Sequence, residues 1–378
     1  MTRSFGFDAV AAGPASGEAL ALAKRDCSGK ECLAYQVLWG TSRKYLEDHP
    51  SDKPSYLMQA SGEGMCRFCL YSIKDQMSLE RLDLGQEVAV HHGMSGRLED
   101  PMLGFRKTYA ATLTEDILVQ LSAYHRPLEQ QPGECDELYE RYCGEAEALL
   151  EDPTHRAPDG TPVVDALAAL NRRAAGEFAA LARRAPADPT RRTVFLAGDF
   201  YIKAVPVAND FVIQRLNDRG LQVIVEPIGV MMEYLAEERL SDLFGLPSGW
   251  LANKLVKRGM RKLTREFYGG VRKQHPWLPV TDIRGVLREA QKHVDRHPQG
   301  ETPVIVGSAL HAWNEGLCDG VVLINGWGCS PALASESVLR HQTDVPMLFV
   351  YSDGTPIDER RLNAFAFRLR RSPALASA

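Results

Sequence analysis

The sequence predicts an α/β protein whose parallel β-sheet is covered by helices on both faces. Three segments, Thr193–Ala197, Gly320–Ile324 and Met347–Tyr351, have the length and the largely apolar character of buried strands. Segments with helical patterns alternate with them along the second half of the chain. Such alternation, with apolar strands, is typical of a parallel sheet between two layers of helices.

The second half supplies most of the predicted sheet. After the first strand we expect a helix over Val207–Arg219, closed by Gly220, and then a strand over Gln222–Glu226. A basic, helix-rich insertion follows at about 230–297. The alternation then resumes with a predicted strand at Val304–Val306.

In the first half of the chain, we predict cysteine thiols in turns that lead into helices. Val37–Asp48 has a helical pattern, so Cys32 would lie near a helix N-terminus. There, unpaired N–H groups and the helix dipole favour a thiolate. Pro54–Gln59 has the character of a strand, and Cys66–Asp83 is predicted as a loop that enters a helix.

An amphipathic helix marks the predicted domain boundary. Apolar residues recur at spacings of three and four between Val164 and Leu181, and prolines flank this segment on both sides. We therefore predict an N-terminal α/β domain over 1–140 and a helical connector over 141–190. A C-terminal α/β domain over 191–378 would carry the helical insertion.

Composition and charge exclude several classes of protein. The chain has 378 residues, 44% of them hydrophobic, which suffices for one large core or two ordinary ones. Its formal net charge of -5 gives no reason to expect nucleic acid or an anionic membrane as a partner. The apolar runs are strand-sized, and the N-terminus lacks the pattern of a secretory signal. We therefore expect a cytoplasmic protein whose 8 cysteines are thiols or metal ligands.

Cysteines beside glycines are the strongest functional signal. Cys27 and Cys32 form one pair, Cys66 and Cys69 a second, and Cys329 lies in a similar glycine-flanked segment. Glycine lets the backbone approach a bound group closely, so we interpret these residues as ligands of a metal site, with an iron–sulfur cluster favoured. A structural zinc site of the first four thiols, a redox C-x-x-C, and cysteines that are merely buried stay open as alternatives.

Polar residues follow three of the predicted strands. Gly198–Asp199, Gly328–Cys329 and Ser352–Gly354 each fall just past a strand end. Because ligands of open parallel sheets bind beyond the carboxyl ends of the strands, we expect these segments to converge on one crevice. The basic stretch Lys254–Lys273 is expected to be the solvated face of the inserted helices, with contact to a phosphorylated substrate as the alternative.

Short motifs along nearly the whole chain resemble one protein family. It is the group of activase-related proteins of the 2-hydroxyacyl-CoA dehydratases and benzoyl-CoA reductases, especially the C-terminal module of the large CoA-enzyme activases. The motifs that carry the resemblance are Ser28-Gly29-Lys30-Glu31-Cys32 with Gly40, Gly64 and Cys66-Arg67-Phe68 with Tyr71, Arg126-Pro127-Leu128-Glu129 with Pro132-Gly133-Glu134, Gly198 with Tyr201 and Asn209, and Gly328-Cys329.

The resemblance implies two flavodoxin-like domains that carry a [4Fe–4S] cluster near their interface. Carried over by motif, the ligands would be Cys32, Cys66 and Cys329. In relatives of this kind, the cluster-bearing subunit receives electrons that are driven by ATP hydrolysis in a separate activator. Four further residues are expected to surround the cluster and its ligands: Lys30, Glu31, Arg67 and Tyr201.

The sequence departs from the family's pattern at four positions. Ala34 and Met65 replace prolines, Cys69 replaces a glycine, and Cys27 stands where the family usually has another residue. Cys69 or Cys27 could complete a four-thiolate set, whereas three thiolates would leave one iron open to substrate, water or another ligand. The chain also begins after the first strand of the family module, so that strand is either dispensable or supplied by a separate chain.

We therefore expect an iron–sulfur protein that accepts electrons from an ATP-dependent activator protein. It would take part in the reduction or dehydration of a CoA thioester or another small substrate, as a lyase resembling 2-hydroxyacyl-CoA dehydratases or as a reductase component. The alternative is a non-catalytic scaffold or regulatory subunit that retains the fold. No residue stands out as a general base, so the reaction type follows from the resemblance alone.

Overall fold

A computed structural model describes residues 2–50, 55–59, 66–84, 88–92, 100–185, 188–244, 250–280, 282–295 and 300–371. Gly64 and Met65 of the second cysteine motif lie outside these residues, and so does the side chain of Cys69. The described residues form six β-strands and fourteen α-helices.

The elements of the first half are mainly helical. They are α1 (Gly17–Asp26), α2 (Leu33–Asp48), β1 (Ser55–Gln59), α3 (Tyr71–Arg81), β2 (Val88–His92), α4 (Pro101–His125), α5 (Glu134–Glu151) and α6 (Val163–Arg184). The second half contains β3 (Arg192–Gly198), α7 (Phe200–Ala204), α8 (Val212–Asn217), β4 (Leu221–Val225), α9 (Ile228–Phe244), α10 (Trp250–Val271), α11 (Ile283–Ala290), α12 (Thr302–Asn314), β5 (Gly320–Gly326), α13 (Ser330–Leu339), β6 (Met347–Ser352) and α14 (Glu359–Arg371).

The strands form two parallel sheets. Strands β1 and β2 pair with each other, and the other four form a sheet in the order β4-β3-β5-β6. Each pairing in the larger sheet is parallel. All seven residues of β5 are buried, as expected for a strand with helices on both faces. The predicted α/β class with a parallel sheet is therefore confirmed.

The strand predicted at Val304–Val306 is wrong, because these residues lie in helix α12. Pro303 occupies the first turn of this helix, a position where its fixed φ favours helix formation. Helix α12 is buried over most of its length, so its apolar residues show no helical periodicity. At Gly307 a Cβ atom would collide with the backbone carbonyl of Val286, and this close approach locks α12 against α11.

The helix predicted over Val207–Arg219 is shorter than expected and begins only at Val212. Asp210 and Phe211 both adopt left-handed backbone conformations, with φ of 52° and 55°. The Phe211 N–H donates to the carbonyl of Pro206 at 2.9 Å, closing a turn before the helix. A pattern of apolar side chains carries no signal for such a turn.

One hydrophobic core, the first core, joins the two ends of the chain. It contains Leu33 and Trp39 of α2 together with Leu196 of β3, Ile324 of β5 and Leu362 of α14. The opposite face of the sheet packs against α12 and α13 in a separate core. Helices from the predicted N-terminal domain thus cover one face of the C-terminal sheet, while the exact domain limits stay a prediction.

The remaining helices form a second core beside the sheet. Leu113 of α4, Phe178 of α6 and Phe267 of α10 are buried at its centre. Helices α9, α10 and α11 occupy the predicted insertion at about 230–297. No helix formed by the described residues has both the length and the apolar composition needed to cross a bilayer.

Candidate functional site at the switch point of the sheet

The order of the strands creates a crevice between β3 and β5. From β3 the chain continues to β4 on one side, and from β5 it continues to β6 on the other. Neighbouring strands whose connections leave in opposite directions form a topological switch point, the usual ligand site of open parallel sheets. Asp199 directly follows β3, and Cys329 lies in the turn after β5.

Asp199 and Cys329 meet in this crevice, as the sequence predicted for two of the three polar segments. The Cys329 thiol and the Asp199 carboxyl group lie close enough for each to shift the pKa of the other. The third segment reaches the same turn through its first residue, because Ser352 at the end of β6 accepts the N–H of Trp327 at 2.7 Å. Asp353 is exposed, and its carboxylate accepts the N–H of Thr355 within its own turn at 2.9 Å.

The loop of Cys32 packs directly against the loop of Cys329. The Leu33 N–H donates to the carbonyl of Trp327 at 2.9 Å. Gly328 has a φ of 74°, and a Cβ atom there would lie 3.2 Å from the Cα of Cys32. Only glycine combines this backbone conformation with such a close approach, so Gly328 brings the two cysteine loops together.

The residues after Cys66 bind the loop of Cys32. The Arg67 guanidinium donates to the carbonyl of Lys30 at 2.6 Å. The Tyr71 hydroxyl accepts the N–H of Cys32 at 2.9 Å, and the Tyr71 ring stacks on Tyr35 with 4.1 Å between the ring centroids. A loop 39 residues further along the chain therefore holds the Cys32 backbone in place.

Cys66 itself lies beside the helix that begins after Cys329. At Gly300 a Cβ atom would be 3.2 Å from Cγ of Pro331 and 3.7 Å from the backbone nitrogen of Cys66. Pro331 is in the first turn of α13, which begins one residue after Cys329. The loops that carry Cys32, Cys66 and Cys329 therefore form one continuous surface.

Each of these three cysteines is the residue immediately before a helix. Cys32 precedes α2, Cys329 precedes α13, and Cys66 precedes a short 3₁₀ helix that leads into α3. All three have extended backbones, with ψ of 155°, 113° and 110° respectively. Each of these thiols therefore lies at the partially positive N-terminal end of a helix.

Burial and nearby carboxylates keep the thiols protonated. Burial raises the pKa of Cys329 far above its ordinary value, and Asp199 and Glu301 raise it further. Burial also raises the pKa of Cys32, and the N–H of Tyr35 in the first turn of α2 only partly opposes this. A bound cation would displace these protons, since metal ligands must be thiolates.

The carboxylates of Asp199 and Glu301 form a buried acidic pair next to Cys329. Asp199 caps α7, accepting the N–H groups of Tyr201 at 3.0 Å and Ile202 at 3.1 Å. Glu301 accepts the N–H of Phe200 at 3.1 Å. Burial raises the pKa of both carboxyl groups, and their mutual repulsion adds to the shift at Glu301.

An ion pair lies next to this acidic pair. The ammonium of Lys203 is 2.5 Å from the carboxylate of Glu226, and both side chains are almost fully buried. Sequence analysis did not predict Lys203, Glu226 or Glu301 as site residues. Glu226 directly follows β4 and could have been found by the rule that located Asp199. Glu301 had no such signal, because the segment after it was predicted as a strand.

Glu31 stabilises the Cys32 loop from within. Its buried carboxylate accepts the N–H groups of Ser28 at 2.9 Å and Lys30 at 3.2 Å, and it forms an ion pair with Lys74 at 3.3 Å. Burial alone would raise the pKa of Glu31, but these hydrogen bonds outweigh it and lower the pKa. Glu31 therefore shapes the turn that presents Cys32.

The other predicted neighbours have different roles. Lys30 and Arg67 have exposed side chains, and the Arg67 guanidinium donates to the Lys30 backbone carbonyl. Tyr201 is half-buried on the first core, and burial together with Asp199 raises its pKa to about 12. Tyr201 therefore lies close enough to respond to the charge of Asp199.

Cys27 and Cys69 are the two candidates for a fourth ligand. The thiol of Cys27 is half-buried against the first core. Burial and the charge of Glu31 raise its pKa to about 12, and Lys74 and Asp75 of α3 are also close enough to act on it. Cys27 therefore lies toward α3. The side chain of Cys69 lies outside the described residues.

The described residues contain no group of three or more His, Cys, Asp or Glu side chains arranged to hold a metal ion. A cluster has a different requirement, because each thiolate binds its own iron and the sulfurs lie further apart. Cys32, Cys66 and Cys329, on loops that adjoin one another, would supply such ligands.

Comparisons with protein-family models, with curated proteins and with solved structures found no match. The features that bear on the function of this chain are the geometry of the switch-point crevice and the motif resemblance.

Proposed function

We propose that this chain is an iron–sulfur protein in which Cys32, Cys66 and Cys329 hold a [4Fe–4S] cluster. The observation that carries the proposal is the contact between the three cysteine loops, although nearly 300 residues separate the first from the last. Thiols that precede helices are favourable ligands, because the helix N-termini stabilise the negative charge of a cluster and its thiolates.

The surroundings of the thiols support electron transfer at low potential. Reduction potentials of clusters depend on net charge, hydrogen bonds to sulfur and exposure to solvent. When ionised, Asp199 and Glu301 would add negative charge, and burial excludes water, so both features would make reduction of a bound group more difficult. Such a cluster would need a strongly reducing partner, which agrees with an ATP-dependent activator protein as electron donor.

The topology of the larger sheet supports a flavodoxin-like C-terminal domain. In chain order its strands are arranged 2-1-3-4, as in flavodoxin-like folds, and the cysteine crevice lies at their switch point. By the motif resemblance, we propose dehydration or reduction of a CoA thioester or another small molecule as the reaction. When bound, a cluster with one open iron would supply Lewis-acid or one-electron chemistry.

The test is the iron and acid-labile sulfide content of protein purified under strict exclusion of oxygen. We expect stoichiometric iron and sulfide, a brown colour and a reduced-state electron paramagnetic resonance signal. Cys32→Ser, Cys66→Ser and Cys329→Ser should each lose most of the iron. Cys143→Ser is the matched control, since Cys143 is a half-buried thiol on α5, within the helical second core.

Two results would refute the proposal: background iron in anaerobic wild-type protein, or unchanged iron in Cys329→Ser. One zinc per chain in a colourless protein would establish the zinc site instead. Cys27→Ser and Cys69→Ser then identify the fourth ligand. We expect Cys27→Ser to retain its iron, because Cys27 lies toward α3, and an effect of Cys69→Ser would indicate a cluster without an open iron.

A further inference from the structure

A cavity of about 390 Å³ lies beyond the carboxyl end of β4, apart from the cysteine loops. Helices α4 and α5 form one wall, and α7, α8 and the turn after β4 form the other. Its volume is within the range of cavities that bind small molecules. No cysteine is among the described residues that line it, and its Lys203 and Glu226 lie next to the acidic pair, so the cavity adjoins the crevice proposed to hold iron without containing its thiols.

A buried carboxylate oxygen in this cavity lacks a partner. Glu226 is only 2% exposed, and its Oε2 accepts Lys203 at 2.5 Å. Its Oε1 has no hydrogen-bond partner within the described part of the chain. Leaving a buried acceptor unsatisfied is costly, so buried polar atoms in native proteins nearly always have a partner. A ligand that donates a hydrogen bond would complete this group.

The charges around the cavity favour a cation. The two cations in its lining both have carboxylate partners: Arg126 makes a bidentate ion pair with Asp136, with its Nε left without a hydrogen-bond partner among the described residues, and Lys203 pairs with Glu226. Three further carboxyl groups line the cavity without a cationic partner among the described ion pairs: Glu115, Asp116 and Glu140.

The carboxyl group of Asp116 is held by the N-terminus of α9. It accepts the N–H groups of Ile228 at 2.6 Å and Gly229 at 2.8 Å. Burial raises its pKa to about 7, so Asp116 is partly ionised at neutral pH. A positive ligand would favour the ionised form, whereas an anionic ligand would meet more carboxyl groups than cations in the lining.

The rest of the lining combines apolar side chains with uncharged polar ones such as Gln120, Ser122, Asn209 and Gln214. Val119, Pro206, Ile213 and Pro227 contribute hydrophobic surface between the polar groups. Cavities with apolar walls and a few oriented polar groups bind molecules with an apolar body and a polar end. We propose that this cavity binds a small molecule with an apolar body and a protonated amine, and that the amine donates a hydrogen bond to Glu226.

The proposal is tested with three probes that differ mainly in charge: benzylammonium, benzyl alcohol and benzoate. Each is titrated into the full-length protein, and its dissociation constant is measured by saturation-transfer NMR. We expect binding in the order benzylammonium, benzyl alcohol, benzoate. Glu226→Gln should weaken benzylammonium binding about tenfold or more, because a hydrogen bond to a buried charged group is lost.

Variants at exposed positions keep the test valid if Glu226→Gln does not fold. Ala204→Trp fills the cavity from an exposed position and should abolish binding. Glu140→Gln removes one lining charge and should weaken binding about twofold. Glu137→Gln is its matched control on the same helix, exposed but outside the lining, and should bind as wild type.

The proposal is overturned if benzylammonium does not bind, if benzoate binds as tightly, or if Ala204→Trp leaves binding unchanged. The presence of iron at the cysteine loops does not enter any of these measurements. Failure of this proposal and failure of the iron–sulfur proposal are therefore distinguishable.

Discussion

A buried pair of histidines should make the stability of this protein depend on pH. His125 at the end of α4 is 2% exposed and His275 is 1% exposed, and their ring centroids are 4.9 Å apart. Nδ1 of His125 is 2.8 Å from the carbonyl of Leu121, and the rings of Phe178 and Trp277 cover the remaining faces. No carboxylate is among these described neighbours of His125.

The magnitude follows from the pKa of His125. Burial lowers this pKa from its ordinary value of 6.5 to about 3, and the neighbouring His275 contributes in the same direction. The folded protein therefore binds fewer protons than the unfolded chain between these values, and its stability falls as the pH drops below 6.5. A pH of 5 lies 1.5 units below the ordinary pKa of 6.5, so His125 lowers the free energy of unfolding at pH 5 by about 2 kcal/mol.

The assay compares wild type with His125→Phe, which keeps an aromatic ring but cannot be protonated. Urea unfolding at pH 7 and pH 5 should show that acidification lowers the free energy of unfolding by about 2 kcal/mol more in wild type than in the variant. Other titrating groups are shared by both proteins, so their contributions largely cancel. Equal losses in the two proteins, or an NMR titration of His125 in the folded state near pH 6.5, would refute the reasoning.

Two further predictions concern packing and buried hydrogen bonds. Gly40→Ala places a methyl group against the carbonyl of Ala19, where α1 and α2 cross. Urea unfolding should show that the free energy of unfolding falls by about 2 kcal/mol or more. The control is Gly144→Ala, which has no described atom within 4 Å of the added methyl group and should be neutral or stabilising. Asn217→Ala removes the donor to the carbonyls of Ala123 at 2.9 Å and Leu221 at 3.0 Å, and thermal unfolding should show a loss of about 2–4 kcal/mol. A wild-type midpoint in Gly40→Ala or Asn217→Ala would contradict the corresponding contact.

The sequence predicted secondary structure best where a short segment is buried as a unit. Strands β5 and β6 were predicted within a residue or two, because short continuous apolar runs fit strands; β5 is buried throughout, whereas burial alternates along the edge strand β6. The same signal failed at Val304–Val306, since a helix buried on most sides gives a similar apolar run. Short-range patterns therefore identified the sheet but could not distinguish one of its covering helices from a strand.

The candidate site was predictable to a similar extent. The rule that ligands bind beyond strand ends placed Asp199 and Cys329 in one crevice, and the structure has them close together. It could not show that Gly328 packs on Cys32, because this contact depends on how the N-terminal helices dock. Glu301 was missed for the same reason, since only the folded chain brings it next to Asp199.

The first core has a consequence for how the chain is made. Helices α1 and α2 bury their apolar faces against strands that end near residue 326 and against α14. During synthesis these helices leave the ribosome long before the strands that cover them exist, so their apolar faces remain exposed until those strands and α14 have been made. Packing of the N-terminal helices therefore waits for the synthesis of segments far along the chain.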